Sequence, residues 1–347
     1  MTGRAETPIR VDLAGFAREG RLGDHAELMD LVTLADRLGY GCVWFNEFHF
    51  SRDGIPYPST LLLGAEILAR TERLRFGASV LVLPLHHPLL LAEQIAQLDR
   101  QSGGRVDIGV GRSTDPASFA ALGLDPDEAR PRFAEALRVM IAAWTMDMSS
   151  NDGPVWPFRN VAVGPPPVQY PHPPLYMAAV SADSIDAAAQ LGFPLLYSLE
   201  PNEDRQAAPY REALARHGRG PEPLHRSSLS RYVLVAARRE AALAQLDDLT
   251  QSLNAARARR AAARGAAPPA PRDRAEMLAG YAIAGDPDDC IEQIRALCAR
   301  HMSRSLRALF SANGLIPMPQ AREAMRLFSA QVLPELTVLT PEMELIS

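Results

Sequence analysis

Short apolar runs alternate with longer segments of helical periodicity along most of the chain. Each run is followed by a polar or Gly/Pro break and then by a segment whose apolar residues recur every three or four positions. The runs are apolar on both faces, as the strands of a parallel sheet covered by helices require. This pattern predicts strands at 9–16, 42–46, 73–84, 105–111, 174–180, 194–199, 227–237 and 305–312. It predicts helices at 24–39, 58–71, 87–104, 127–144, 181–192, 202–218 and 319–336, with a long Ala/Arg helix after the seventh strand.

Eight successive strand–helix pairs predict the fold class α/β, and within it a (β/α)8 TIM barrel rather than an open doubly wound sheet. A Rossmann arrangement is disfavoured as well, because no Gly-x-Gly-x-x-Gly sequence opens the first pair. The repeat runs through the whole chain. We therefore expect residues 1–347 to form a single TIM-barrel domain.

Two segments interrupt the repeat. Residues 151–174, after the fourth strand, are rich in proline, and residues 256–276, after the seventh strand, are biased towards Ala, Arg and Pro. The simplest interpretation of both is a tolerated surface insertion. An insertion after strand seven of a barrel lies on the catalytic face, however, so 256–276 is also a candidate for a mobile lid.

Composition narrows the function classes. The 347 residues are 47% hydrophobic and 22% charged, with a net charge of −5 and scattered arginines, which disfavours nucleic acid as a partner. The three cysteines form no Cys-x-x-Cys pair, so a reduced, cytoplasmic setting is expected. Neither a signal peptide nor a membrane span is indicated by the sequence. No metal-binding pattern is evident.

The second predicted strand ends in polar chemistry. Asn46, Glu47 and His49 follow the apolar run 42–45, and carboxylates and imidazoles are costly to bury without partners. The carboxyl ends of barrel strands carry the active site, which favours a catalytic role for Glu47 and His49. The competing interpretation is that the two side chains pair with neighbours and merely terminate the strand.

The next two strands deliver small residues and a cation to the same edge. Strand three contains Gly77, Ala78 and Ser79, where a flat ligand could approach the backbone, and strand four ends at Gly111 followed by Arg112. The Arg112 guanidinium could bind a carbonyl or phosphate group. Taken alone, an arginine there is as readily a surface ion-pair partner.

A helix start follows strand five. Ser181 and Ser184 place two hydroxyls at a helix N-terminus, which favours a phosphate site. Asp183 between them argues the other way, because its charge repels phosphate. Ordinary helix capping explains the same residues.

These segments together resemble the bacterial luciferase-like flavin-dependent monooxygenases. The matching pieces, in order, are NEFHF, ARTERLRFG, VLPLHHP, AEQIAQLDRQSGGR, GVGR, PLYMAAVSADSIDAAAQLGFP and GDPDDCIEQI. The resemblance covers roughly residues 9–335 and weakens in the two insertions.

The resemblance implies a TIM barrel, usually dimeric, that binds reduced FMN and reacts it with oxygen. It places a cis peptide beneath the flavin ring at Ser79–Val80, and contacts to the flavin phosphate end at Arg112 and at Ser181, Ala182 and Ser184. Gly111 stands where luciferase has a reactive cysteine. Phe48 replaces the first histidine of the family's Glu-His-His-Phe run, and His49 matches the second. The light-emitting aldehyde reaction is therefore not expected.

The resulting hypothesis is a two-component monooxygenase that acts on a small organic substrate and receives reduced FMN from a separate flavin reductase. His49 is the expected acid–base group, Glu47 orients it or binds substrate, and Asn46 and Phe48 line the substrate pocket. Phe45, Phe48 and Phe50 are expected to help exclude water, with at least one facing the helices instead. Two alternatives stay open: a deazaflavin-dependent oxidoreductase of the same barrel family, and a non-catalytic flavin-binding protein.

Overall fold

A computed structural model describes residues 8–15, 25–50, 57–112, 116–199 and 203–337. Three ends of predicted elements lie outside these ranges. They are the end of the first strand at Phe16, the start of the first helix at Asp24 and the start of the helix 202–218 at Asn202. The chain divides into two compact units: one comprises Met1–Gly41 and Val180–Ser347, which we call the terminal unit, and the other comprises Cys42–Ala179, which we call the central unit. Each is described separately.

Ten strands lie in the described residues. They are β1 (Arg10–Leu13), β2 (Cys42–Phe45), β3 (Arg75–Val82), β4 (Val106–Gly111), β5 (Ser149–Asn151), β6 (Phe158–Val161), β7 (Leu175–Met177), β8 (Ser228–Val235), β9 (Ala282–Gly285) and β10 (Ser305–Leu309).

Thirteen α-helices separate or follow these strands in the described residues. They are α1 (His25–Leu38), α2 (Thr60–Arg70), α3 (Pro88–Ser102), α4 (Pro116–Ala121), α5 (Ala129–Thr145), α6 (Ala182–Leu191), α7 (Asp204–Arg216), α8 (Glu222–Arg226), α9 (Arg239–Ala263), α10 (Arg274–Gly280), α11 (Pro287–His301), α12 (Met318–Gln331) and α13 (Leu333–Thr337). Short 3₁₀ turns occupy Leu83–Leu85, Pro126–Glu128 and Ala312–Gly314.

The central unit is built on four parallel strands in the order β7, β4, β3, β2. Every residue of β2 and β4 is buried, as expected for strands covered on both faces. The register between β3 and β4 shifts between Ala78 and Leu81, so that Val82 lies opposite Gly111 at the end of the pair. Helix α3 begins with Pro88 in its first turn and ends at Gly103 in a left-handed conformation, a standard start and stop.

The terminal unit also holds four parallel strands, in the order β1, β10, β8, β9. Its amphipathic helices bury one face, as in α11, where Cys290, Ile294 and Cys298 are inside. The α/β prediction is confirmed by this alternation of parallel strands and helices. All three cysteines of the chain are buried thiols, and burial raises the pKa of Cys290 and Cys298 to about 12.

The strand predictions for the terminal unit need two corrections. The sixth strand, 194–199, is reduced to isolated bridges at Leu195 and Leu196, the latter paired with Ser228, although backbone bonds from Ser228 N to Leu195 O and from Tyr197 N to Ser228 O keep it parallel to β8. The second correction is an addition, because β9 pairs with the second half of β8 and was not predicted. Its four small or apolar residues are too short a run to be distinguished from a loop by pattern.

The proline-rich insertion is held by two buried carboxylates of the central unit. Asp99 on α3 accepts hydrogen bonds from the backbone N–H groups of Val168 (2.8 Å) and Gln169 (3.0 Å). Glu135 on α5 accepts from Asn151 Nδ2 at 2.7 Å and from the Trp156 N–H at 2.9 Å. The insertion also contains the antiparallel pair β5–β6. Buried polar anchors of this kind define one conformation rather than a loose surface loop.

The second insertion is partly helical. Its first residues, up to Ala263, continue α9, and α10 occupies its end. Between them, the Asn254 side chain donates from Nδ2 to Arg272 O (2.8 Å) and accepts from Arg272 N (2.9 Å). The Arg272 guanidinium lies 3.7 Å from the centre of the Tyr281 ring. These contacts tie the segment to α9 and α10, and the lid role of 256–276 stays a prediction.

A buried ion pair in the terminal unit makes its stability depend on pH. Arg231 on β8 donates from NH1 to Glu203 Oε2 at 2.9 Å, and His301 Nε2 lies 3.3 Å from Glu203 Oε1. Burial by itself would raise the pKa of Glu203, but the hydrogen bonds from Arg231 and the nearby His301 imidazole lower that pKa to about 2. A depressed carboxyl pKa contributes stability above the pKa of the unfolded chain, roughly 4.3, and this contribution is lost as the pH falls towards 2.

We therefore expect the free energy of unfolding of the wild type to fall between about pH 5 and pH 2. Glu203→Gln is expected to be less stable than the wild type at pH 7 and to lose less stability over the same acid range. Urea midpoints measured across that range test this. Glu222→Gln, at a carboxylate whose side chain is 71% exposed, is the matched control and is expected to follow the wild type. If the urea midpoints of Glu203→Gln and the wild type changed with pH in the same way, the assignment of this pH dependence to Glu203 would be contradicted.

Candidate active site

A buried carboxylate lies two residues beyond the end of β2. The Glu47 side chain is only 2% exposed, and both of its oxygens are occupied. Oε2 accepts the backbone N–H of Val82, the last residue of β3, at 2.6 Å. Oε1 lies 3.1 Å from His49 Nε2 and 2.8 Å from His86 Nε2. We call Glu47, His49 and His86 the Glu47 cluster.

The cluster forms where three neighbouring strands end. Glu47 follows β2, Val82 ends β3, and Gly111 lies opposite Val82 at the end of β4. His86 reaches Glu47 because the chain makes a 3₁₀ turn over Leu83–Leu85 directly after β3. The side chains brought together here therefore come from separate stretches of sequence.

Glu47 is an anion throughout the neutral range. Burial alone would raise the pKa of its carboxyl, but hydrogen bonds from His49 and His86, with a smaller contribution from the Val82 N–H, lower that pKa to about 2. The same hydrogen bond to Glu47 raises the pKa of His49 above its ordinary value. The cluster thus has a fixed negative charge beside an imidazole that takes up a proton readily, which is the electrostatic setting of an acid–base group.

His86 was not predicted as a site residue. It belongs to the stretch VLPLHHP, which follows a strand end just as Asn46 and Arg112 do. Applying the same strand-end argument to strand three would have identified it as a candidate. The pattern could not show that its ring turns back onto Glu47, since that depends on the intervening 3₁₀ turn.

The Glu47 cluster and one group in the terminal unit also have metal-like spacing among the described residues. The donor atoms of Glu47, His49 and His86 lie within 4.8 Å of one another, as do those of Glu203, Asp204 and His301. In the first group both carboxylate oxygens already accept direct hydrogen bonds. In the second, Arg231 forms an ion pair with Glu203. Hydrogen bonding accounts for the first arrangement; in the second, His301 Nε2 is buried and has no hydrogen-bond partner among the described residues.

The Ser79–Val80 peptide bond is cis, the geometry that the resemblance implies at this position. These two residues are half-buried, whereas the residues on either side of them in β3 are buried. A Cβ atom on Gly111 would lie 2.5 Å from Val80 Cγ2, so only glycine fits beside Val80. We call this half-buried segment the Ser79–Val80 step. Its backbone can be approached from outside the sheet, which fits a flat aromatic ring such as a flavin.

Arg112 is half-buried and directly follows β4 in the central unit. Its position after Gly111 puts a cation just beyond the end of β4, the strand that pairs with the one containing the Ser79–Val80 step. This arrangement is compatible with a flavin phosphate or carbonyl contact. The assignment stays a prediction.

Ser181, Ala182 and Ser184 lie at the start of α6 in the terminal unit. Both hydroxyls serve a capping box: Ser181 Oγ accepts from Ser184 N, and Ser184 Oγ accepts from Ser181 N at 3.1 Å. Ser184 is buried, while Ser181 and Ala182 are exposed. The capping interpretation explains these hydroxyls in the structure as described, and the phosphate contact is carried forward only as a prediction.

The phenylalanines near the cluster divide into two groups. Phe45 is buried and its ring is 6.4 Å from that of Phe76 at an interplanar angle of 17°, so it belongs to the core. Phe48 and Asn46 are half-buried, whereas Phe50 is 63% exposed and its ring is 5.7 Å from His49. Phe50 thus lies beside the His49 ring and Phe45 does not, and the role of Phe48 in excluding water stays a prediction.

No helix within the described residues is both long enough and apolar enough to cross a membrane.

Comparison with known proteins identifies the family. A family model described as luciferase-like monooxygenase matches residues 8–303. The chain is 32% identical over 284 residues to a 4-hydroxyprotoasukamycin monooxygenase of Streptomyces nodosus subsp. asukaensis, covering 77% of this chain and 75% of that protein. It is also 32% identical over 168 residues to the oxygenase component of a flavin-dependent trigonelline monooxygenase of Acinetobacter baylyi, covering 48% of this chain and 46% of that protein.

The chain spans about half the length of several curated relatives that it matches, with 49%, 46% and 47% of their residues covered. Among solved structures, the monooxygenase RslO1 of Streptomyces bottropensis is similar with a TM-score of 0.77 and 26% identity, over 94% of this chain and 99% of that one. The coenzyme F420-dependent tetrahydromethanopterin reductase of Methanopyrus kandleri has a TM-score of 0.68 at 18% identity, over 96% and 100%, which shows the fold alone. The chain has the α/β fold of TIM-barrel monooxygenases and belongs to the luciferase-like monooxygenase family.

Proposed function

We propose that this protein is the oxygenase component of a two-component monooxygenase, which uses reduced FMN and oxygen to oxygenate a small organic substrate. The observation that carries the proposal is the Glu47 cluster, a buried anion holding two imidazoles at the ends of adjacent strands, in the same unit as the half-exposed Ser79–Val80 step. Family membership gives the reaction class. The relative named as an oxygenase component supports the two-component arrangement and flavin dependence.

The residues present fit a flavin, and each has a definite task in this proposal. Reduced FMN, when bound, supplies the electrons that activate oxygen. Ser79–Val80 offers backbone to the flat ring, and Arg112 offers a cation to a phosphate or carbonyl group. Ser181, Ala182 and Ser184 are proposed as contacts of the flavin phosphate end on the ground of the family resemblance alone. His49 holds or moves a proton, and Glu47 orients it.

Asn46 and Phe48 are proposed to contact the substrate. Both are half-buried next to Glu47 and His49, so a bound molecule would reach them without unfolding the strand end. An aromatic ring at Phe48 removes water from the neighbourhood of His49, which strengthens the electrostatic effect of Glu47. The substrate class favoured is therefore an organic molecule of low charge.

The partners follow from the same proposal. A separate flavin reductase would deliver reduced FMN, and the assembly would be a homodimer in the cytoplasm. The net charge of −5 favours a small molecule over nucleic acid as the ligand. No membrane association is proposed.

A second candidate uses a deazaflavin and hydride transfer without oxygen. It is favoured by the structural similarity to an F420-dependent reductase, whose fold is shared. A third candidate, a flavin-binding protein without turnover, is kept open by Phe48, which replaces an imidazole. The candidates differ in their need for oxygen and for substrate.

The test is oxygen uptake by the purified protein with FMN, a flavin reductase and NADH, across a panel of small organic compounds, with hydrogen peroxide measured in parallel. The monooxygenase predicts that one or more compounds lower the peroxide formed per oxygen consumed and yield an oxygenated product. Anaerobic turnover with reduced F420 would establish the deazaflavin candidate instead. Flavin binding with no compound-dependent change in peroxide and no turnover with F420 would support the non-catalytic one.

A further inference from the structure

One oxygen of Glu47 is shared by two imidazoles. Oε1 lies 2.8 Å from His86 Nε2 and 3.1 Å from His49 Nε2, and Oε2 is already held by the Val82 N–H. His49 reaches this oxygen from two residues along its own loop. His86 reaches it from the turn after β3, and the two ring centroids lie 6.5 Å apart on either side of the shared oxygen.

The sharing fixes which nitrogen of each ring carries a proton. An ionised carboxylate accepts hydrogen bonds and donates none, so both Nε2 atoms must carry hydrogen. A neutral ring in this tautomer has its lone pair on Nδ1. No partner contacts Nδ1 of His49 or His86 among the described residues, and the two side chains are 24% and 26% exposed. Both Nδ1 atoms are therefore accessible to a ligand.

We propose that His86 is a positioning residue for His49. By donating to the same Glu47 oxygen, His86 helps hold His49 as the Nε2–H tautomer and leaves His49 Nδ1 as the proton acceptor of the site. It also reduces the stabilisation that Glu47 gives to a protonated His49. The family resemblance gives His49 a place in the site, but nothing in it assigns a role to His86. The use of this pair in turnover rests on the proposed function. The tautomer of His49 and the sharing of Glu47 Oε1 by the two imidazoles do not depend on the proposed function.

The direction of the effect follows from competition for one acceptor. The His86 Nε2–H satisfies part of the Glu47 charge, so His49 is easier to deprotonate than it would be with Glu47 to itself. Among the described residues, the titratable groups facing His49 are Glu47 from its own loop and His86 from the turn after β3, and its remaining ring neighbour is the uncharged Phe50.

The test is histidine-selective nitrogen NMR on the full chain in the presence of EDTA, so that no adventitious metal occupies the cluster. The chain has eight histidines, and loss of a signal in His49→Gln assigns the one required. His86→Phe keeps a ring of similar size but removes the donor. His86→Gln keeps an N–H donor of similar reach and removes the titrating group, and it is the conservative variant.

We expect His49 of the wild type to show the Nε2–H tautomer. His86→Phe is expected to raise the pKa of His49 by about half a unit to one unit, and His86→Gln to leave it within about 0.2 units of the wild type. A wild-type Nδ1–H tautomer would overturn the proposal without any variant being needed. An unchanged His49 pKa in folded His86→Phe would overturn it as well.

The outcome is separable from that of the proposed function. If the tautomer and the pKa changes are as expected but no compound supports oxygen uptake, the positioning role stands and the monooxygenase is contradicted. If oxygenation is found but His49 titrates independently of His86, the monooxygenase stands and the positioning role is contradicted.

Discussion

Replacing Glu47 with Gln is expected to lower the rate of oxygenated product formation by about 100-fold or more. The change keeps the size of the side chain but removes the anion that both imidazoles contact at Oε1. A neutral amide oxygen stabilises a proton on His49 less than the carboxylate does, so His49 holds a proton less well at neutral pH. The initial rate of product formation at saturating FMN and substrate measures the effect.

Glu93→Gln is the matched control for this variant. Glu93 is exposed on α3 in the same unit, so the same chemical change there is expected to leave the rate unchanged. A Glu47→Gln protein that is folded and binds FMN but turns over at the wild-type rate would exclude Glu47 from the chemistry. Loss of folding would be recognised by circular dichroism. In that case Glu47→Asp, which keeps the charge and shortens the side chain, is expected to reduce the rate as well.

Gly77→Ala is expected to lower the free energy of unfolding by about 3 kcal/mol. Gly77 on β3 lies opposite Trp44 on β2, and the indole ring lies directly over the glycine. A Cβ atom there would be 2.3 Å from Trp44 Cε3. Trp44 is only 2% exposed and packs edge-to-face on Tyr176 at 5.3 Å, so it has no room to withdraw. Denaturant unfolding followed by tryptophan fluorescence and circular dichroism tests this.

Gly220→Ala serves as the control, because no atom lies within 4 Å of the position its Cβ would take. It is expected to change the free energy of unfolding by less than about 0.5 kcal/mol. Adding Trp44→Phe to Gly77→Ala should restore part of the loss if the ring is the obstacle. Equal stability of Gly77→Ala and the wild type would show that the close contact between Gly77 and Trp44 does not constrain this sheet.

The strand-end argument predicted a large part of the candidate site from sequence. It located Glu47, His49, Gly111 and Arg112, because a buried parallel strand leaves a periodic apolar run that ends sharply. In the structure, Val82 joins these ends by donating to Glu47 and pairing with Gly111. That bond is between a backbone atom and a side chain 35 residues apart, and no pattern of side chains encodes it.

His86 shows where pattern reasoning stops. Its importance arises from a single 3₁₀ turn that reverses the chain after β3 and from the absence of any other acceptor for its Nε2 among the described residues. The two serines of α6 show the opposite limit. Their spacing suits a phosphate site and a capping box equally well, and the hydrogen bonds in the structure are those of the capping box.

The fold shows similar limits. The sixth strand was predicted at full length from an apolar run, but apolar character does not specify how many residues pair, and only Leu195 and Leu196 form bridges in this stretch. The four residues of β9 were missed because a run of this length has no distinctive period. The long α9 was predicted to end in a separate mobile insertion, but its helical hydrogen bonds continue to Ala263 since Ala and Arg both favour the helix.

The most direct test of the account is stopped-flow mixing of the anaerobically reduced FMN–protein complex with oxygenated buffer, compared with free reduced FMN. We expect the protein to bind reduced FMN. The return of oxidised-flavin absorbance should then differ in rate from that of free flavin, and an active substrate should change that rate. Reoxidation identical to that of free reduced FMN, with no effect of protein or substrate, would contradict it.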